Sequence, residues 1–134
     1  MLLAGEAQSN HCWLPLHDYP NDRATWSCTL HVPKDLTAVS NGVLLGVADD
    51  PGGATRAWRY SMDQPNATYL ISVAIGPYER WADDWHGVPV EYFVVKGTGE
   101  ERARRSFGKT PEMMEFFSEW IGTLTRGPSM RRRP

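Results

Sequence analysis

The chain has 134 residues, which allows one domain and rules out two independently cored ones. With 41% hydrophobic and 22% charged residues, its composition excludes intrinsic disorder as the default. The net charge of −2 argues against a nucleic-acid partner on electrostatic grounds. That charge is unevenly spread. Arg126, Arg131, Arg132 and Arg133 fall in the last twelve positions, leaving residues 1–122 with 10 basic against 16 acidic side chains.

Proline recurs at positions 15, 20, 33, 51, 65, 77 and 89, a spacing that suits strands and leaves little room for helices. Thr25 to Val32 alternates: Trp26, Cys28, Leu30 and Val32 share one face, and Thr25, Ser27, Thr29 and His31 the other. Period two predicts a half-buried strand, which Pro33 ends by removing a ladder donor. Leu36 to Val47 predicts a second strand region broken at Asn41-Gly42, a pair that supports positive φ. Asp49 to Gly53 is a loop by composition. Ala57 to Met62 alternates again, with Trp58, Tyr60 and Met62 opposite Arg59 and Ser61. Thr68 to Ile75 is apolar and β-branched almost throughout, which predicts a central strand. Val88 to Val95 predicts another, with Pro89 placing it at an edge or near a strand start. The body is therefore expected to be mainly β, with about five strands.

The pattern then changes. Gly99 to Phe107 is charged and helix-friendly and stops at Gly108. Thr110 is placed to cap a second helix, Pro111 suits its first position, and Glu112 complements its dipole. Met113, Met114, Phe117, Trp120 and Ile121 recur at three- and four-residue spacing and form one wide apolar stripe. The helix is placed at 111–121, with Gly122 as its stop. Residues 123–134 show no periodicity and read as a flexible basic tail.

The chemistry is mostly negative. Four residues after His11, His17, His31 and His86 come Pro15, Asn21, Asp35 and Val90, so no His-x-x-x-His zinc helix exists in the chain. His11, Cys12, His17 and Asp18 are the local cluster of metal-ligand types, but their spacing matches no closed tetrahedral pattern. No metal site is expected. No Gly-x-Ser-x-Gly elbow anchors a serine hydrolase. Gly97-Thr98-Gly99 lacks the lysine of a phosphate loop and reads as a turn. No catalytic residue is assigned. The six tryptophans would stack sugars or bases if they formed an exposed row, but on alternating strands sheet-face packing is the expected role. Cys12 and Cys28 make no disulfide framework, and whether they pair stays open, as does the compartment. No apolar run reaches the roughly 18–20 residues of a membrane span.

An ordered series of segments resembles a known family. It runs from Gly5-Glu6 and His11-Cys12-Trp13-Leu14-Pro15-Leu16-His17-Asp18-Tyr19-Pro20 through Val32-Pro33 and Ala38-Val39-Ser40-Asn41-Gly42. It continues with Gln64-Pro65, Thr68-Tyr69-Leu70-Ile71, Ile75-Gly76-Pro77-Tyr78, Gly87-Val88-Pro89-Val90 and Thr110 to Phe117. The order is similar to that of the amino-terminal β-domain of the aminopeptidase N family of zinc metallopeptidases, over residues 4–122.

The resemblance implies a saddle-like β-domain at 1–98, incomplete at its start, followed by the helical start of a catalytic domain at 99–122 and a non-family tail at 123–134. It implies that Glu6 matches the residue with which the family clamps the free α-amine of a peptide. It places zinc and its His-Glu-x-x-His motif in the full-length family and no cofactor in this chain. The expected partners are a peptide amino terminus and the missing catalytic domain. Three departures stand out. The family Gln falls on Ala4, its Phe-Pro-Cys becomes Leu14-Pro15-Leu16, and no Pro-Tyr-Pro follows Gly122. A fragmentary or frame-shifted gene would give such a chain. The expected function is a fragment of a zinc aminopeptidase, inactive alone. The alternative is a stand-alone β-sheet binding module, which predicts a covered core where the fragment predicts exposed apolar surface around Met113, Phe117 and Trp120.

Overall fold

Alternation at 26, 28, 30 and 32 builds the longest ladder in the molecule. In the computed structural model, which describes residues 1–4 and 9–121, strand β2 (Arg23–Pro33) turns Trp26, Cys28, Leu30 and Val32 inward and leaves Thr25, Ser27, Thr29 and His31 exposed. It pairs antiparallel with β5 (Thr55–Ala67), setting Cys28 opposite Tyr60 and Leu30 opposite Trp58. β4 (Val43–Asp49) pairs with the other edge of β5 and completes a three-stranded sheet in the order β2-β5-β4. Pro65 lies inside β5 without breaking it. The register shifts between Ala24 and Trp26, so the stretch 63–65 bulges out of the ladder where no proline N–H is required.

A second sheet, in the order β1-β6-β3, joins β1 (Leu2–Ala4), β6 (Ser72–Gly76) and β3 (Thr37–Ser40). The break at Asn41-Gly42 is therefore not a hairpin, since it carries the chain from one sheet to the other. Gly42 has φ +93°, and a Cβ there would sit 2.2 Å from the Ser61 carbonyl oxygen. Val32, Ala38, Tyr60 and Val73 are buried, and the Tyr60 hydroxyl donates to the Ala38 carbonyl at 2.8 Å. This bond ties the two sheets together through the core.

The expected strand at Thr68 to Ile75 is corrected. Thr68–Leu70 forms a 3-10 turn, and only Ser72–Gly76 is strand, although that strand is central as expected. The start is drawn into a turn because its backbone serves a buried side chain, Asn10, described below.

The chain divides into two units, residues 1–76 and Pro77 onward. The second opens on a hairpin of β7 (Tyr78–Trp85) and β8 (Val88–Val95), in which Trp85 pairs with Val88. His86 at φ 52° and Gly87 at φ 79° make the two-residue turn, both in the left-handed region that a right-twisted hairpin demands. Helices α1 (Glu100–Phe107) and α2 (Thr110–Ile121) follow, close to the expected positions. Thr110 does not cap α2. Its hydroxyl donates backward to the Phe107 carbonyl at 2.6 Å, closing the end of α1. Gly122 and the basic tail at 123–134 lie outside the described residues. The fold is mainly β with a C-terminal helical segment, as the sequence predicts. Among the described residues, no helix is long and apolar enough to cross a membrane.

Candidate functional site

Glu6, the one substrate-contact residue implied by the sequence, lies outside the described residues, but both sides of its segment are fixed. Upstream, β1 pairs Leu2 with Ala74, Leu3 with Val73 and Ala4 with Ser72. Downstream, a 3-10 turn at Asn10–Cys12 carries Asn10, whose side chain is completely buried.

Asn10 is the hub of this corner. Its Nδ2 faces three carbonyls, those of Thr68 at 3.1 Å, Tyr69 at 3.1 Å and Ile71 at 2.9 Å. Its Oδ1 accepts from the Trp13 indole N–H at 2.8 Å. A buried amide must find such partners, and here it satisfies the carbonyls of a 3-10 turn nearly sixty residues away. Thr68 adds to the same tie, donating through Oγ1 to the His17 carbonyl at 2.7 Å.

Asp18 holds the other side of the turn. It is 5% exposed and accepts from the His11 backbone N–H at 3.0 Å and His11 Nδ1 at 2.8 Å. Burial pushes its carboxyl up, but the hydrogen bonds and charge of His11 outweigh this and hold it below the usual carboxylate range. A shallow cavity of about 170 Å³ is lined by His11, Leu16, His17, Asp18 and Tyr19. Of the four ligand-type residues at 11, 12, 17 and 18, the structure joins only His11 and Asp18 by a bond. Among the described residues, no group of three or more His, Cys, Asp or Glu side chains is gathered to hold a metal. Cys12 and Cys28 are both free thiols.

The second unit presents the other notable surface. Glu115 of α2 accepts from the Trp85 indole N–H at 2.7 Å and meets His86 Nε2 at 2.6 Å. The His86 contact, then that of Trp85, holds the Glu115 carboxyl below its ordinary value. This pins α2 to the hairpin turn and fixes how the helix is rotated. The face carrying Glu115 meets the turn, and the apolar stripe points elsewhere. Trp120 is 80% exposed, Ile121 69%, Met113 54%, Phe116 52% and Phe117 42%. Phe116 stacks on Trp120 with ring centroids 6.0 Å apart. Sequence reasoning missed Phe116 as a stripe member and included Met114, which is half-buried. It also missed Asn10, Asp18 and Glu115 as anchors. His86-Gly87 did carry a signal, because a glycine at the second position of a two-residue loop marks a hairpin.

The strand order, the Asn10 turn and the 3-10 segment it holds make the first unit a β-domain built of two three-stranded sheets. Residues 4–70 match the family model described as the peptidase M1 N-terminal domain, and the chain belongs to that family.

The chain is 30% identical over 115 residues to transcription initiation factor TFIID subunit 2 of Drosophila melanogaster, covering 86% of this chain and 9% of that protein. It is 27% identical over 108 residues to puromycin-sensitive aminopeptidase of Caenorhabditis elegans, covering 80% of this chain and 11% of that protein. The chain thus spans about a tenth of the length of these relatives. Its fold matches the M1 zinc metallopeptidase of Deinococcus radiodurans with a TM-score of 0.70 at 22% identity, over 91% of this chain and 29% of that one.

Proposed function

We propose that this chain serves as the substrate-side β-domain of an M1 aminopeptidase, with residues 99–122 as the helical start of the catalytic domain. The observation that carries this reading is the family match over residues 4–70, the stretch that includes Glu6. The likeness in fold to an M1 zinc metallopeptidase extends it across 91% of the chain. The described residues gather no metal-ligand set, so no catalytic step is assigned to this chain. Its role is to cap a cleft and help hold a peptide's amino terminus. Glu6 pairs with the substrate ammonium, since a carboxylate favours a charged donor in a partly desolvated cleft. The paired strand Leu2–Ala4 precedes it in the chain and the Asn10 turn follows it. The exposed face of α2 favours this reading over a stand-alone module, whose helix would be covered by its own sheet.

Identity to the TFIID subunit supports a second reading, in which the same domain serves an assembly without peptide cleavage. Sequencing the transcript beyond codon 134 and assaying its full product separates the two. A downstream His-Glu-x-x-His with a later Glu, and chelator-sensitive hydrolysis of aminoacyl arylamides, is the expected result. A product without the motif and without turnover favours the second reading. The 134-residue chain alone is expected to show no turnover with or without added zinc. Chelator-sensitive hydrolysis by it would overturn the claim of inactivity. In an active full product, Glu6→Gln is expected to raise KM about tenfold or more, and an unchanged KM would remove Glu6 from the site.

A further inference from the structure

Two asparagines clamp the turn at 68–71 between them. Asn10 faces the carbonyls of Thr68, Tyr69 and Ile71. Asn41 takes the one left over, donating through Nδ2 to the Leu70 carbonyl at 3.1 Å. Its Oδ1 accepts from the Ser72 backbone N–H at 2.7 Å. The side chain thus stands in for a strand peptide group, with a donor and an acceptor both in use. Ser72 is tied further: it is the ladder partner of Ala4, and its carbonyl accepts from Ser40 Oγ at 3.0 Å. The residue after Asn41 is glycine, whose backbone nitrogen carries no side chain to hinder its approach to a neighbouring amide. The other asparagines, Asn10, Asn21 and Asn66, are followed by His11, Asp22 and Ala67. The fold leaves the 41–42 link little room to move, since a Cβ at 42 would lie 2.2 Å from the Ser61 carbonyl oxygen.

We propose that Asn41 is a deamidation site gated by the fold: its amide survives while the crossover is closed, is lost when the crossover opens, and once lost stops the crossover from closing again. In the reaction the Gly42 backbone nitrogen gives its proton to a solvent base and attacks Asn41 Cγ. The N–Cγ bond forms, the Cγ–Nδ2 bond breaks, and Nδ2 leaves as ammonia with a proton from the same solvent. Water then adds across one C–N bond of the cyclic imide. The product is aspartate, or isoaspartate where the main chain is rerouted through the side chain. Water is the one co-reactant. In the closed fold Asn41 Nδ2 and Oδ1 are both held and the Gly42 backbone is packed against β5, so the ring does not form. Opening of the turn at 68–71 releases the amide. Either product sets a carboxylate oxygen against the Leu70 carbonyl in place of the Nδ2 donor, an acceptor facing an acceptor. Isoaspartate also adds a backbone carbon where the chain crosses between sheets. The inference concerns Asn41 and its partners alone and stands apart from the peptidase reading.

The test incubates the full chain, and a synthetic peptide of residues 37–46 as the open reference, in mildly alkaline buffer. Peptide mapping by mass spectrometry follows conversion at Asn41. Conversion in the folded chain is expected to be at least about tenfold slower than in the peptide, because the rate tracks the open population. Asn10→Ala, which releases the other half of the clamp without touching Asn41, is expected to speed conversion at least about threefold. Asn41→Asp reproduces the shorter product, and the isoaspartyl chain is made by incubating the unfolded chain and separated by its added charge. In urea the Asp variant is expected to unfold before the parent, and the isoaspartyl chain before both. The inference is overturned if Asn41 converts as fast in the folded chain as in the peptide, or if Asn10→Ala leaves the rate unchanged. It is equally overturned if either product unfolds at the parent's urea midpoint.

Discussion

Asp18 accepts two hydrogen bonds from His11, one from the backbone N–H at 3.0 Å and one from Nδ1 at 2.8 Å. The carboxylate thereby closes the 3-10 turn that follows the Glu6 segment. Because its folded pKa is depressed, Asp18 contributes fully above its unfolded value of about 3.9 and loses that contribution as pH falls through the lowered one. Thermal melts from pH 7 to pH 2 should show this. Asp18→Asn is expected to melt below the parent at pH 7, with the two curves converging as pH falls below 4. Parallel curves over the whole range would mean that Asp18 acts through shape alone.

Asn10→Ala leaves the Thr68, Tyr69 and Ile71 carbonyls and the Trp13 indole without their shared partner. A loss of about 2–4 kcal/mol is expected, since buried polar groups are left unsatisfied. Urea unfolding measures it. Asn10→Asp should fare worse than Ala, because an acceptor then faces three acceptors. A loss below about 1 kcal/mol for both variants would show that water replaces the amide.

These two anchors also show where sequence reading ends. The face of β2 was legible because burial there alternates with every residue. Strand β7 was not. Its inward positions include Glu79 and Asp83, which look like solvent-facing residues yet meet the Gly97 N–H at 3.0 Å and Arg104 at 2.9 Å. Thr68 to Ile75 is apolar at nearly every position, so its period cannot separate a turn from a strand. Asn10 and its carbonyls are 58–61 residues apart, and no local pattern encodes such a meeting. The α2 stripe was visible as a stripe, but its direction depends on Glu115 finding Trp85 and His86, a tertiary event.

Gly42 and Gly52 share nearly the same backbone angle, φ +93° and +95°, but not the same surroundings. A Cβ at 42 meets the Ser61 carbonyl oxygen at 2.2 Å and Met62 Cβ at 2.8 Å, whereas at 52 it meets nothing within 4 Å. Gly52→Ala therefore reports left-handed strain alone, about 1–2 kcal/mol. Gly42→Ala adds a clash with β5 backbone at the crossover between sheets, and about 2–4 kcal/mol in total is expected. Equal losses from urea unfolding would mean that the crossover relaxes freely.

The tie between Glu115 and the β7–β8 turn predicts a local acid response. Glu115 accepts from both Trp85 and His86, and its pKa is lowered, chiefly by His86. The contact is therefore intact above the ordinary glutamate value of about 4.3 and is lost as pH falls through the depressed one. The Trp85 indole N–H resonance should move and exchange faster with solvent over that window. Glu115→Gln keeps an acceptor for Trp85 but removes the charge, so the response should vanish without loss of the helix. A Trp85 signal that titrates in the Gln variant as it does in the parent would assign the response to another carboxylate.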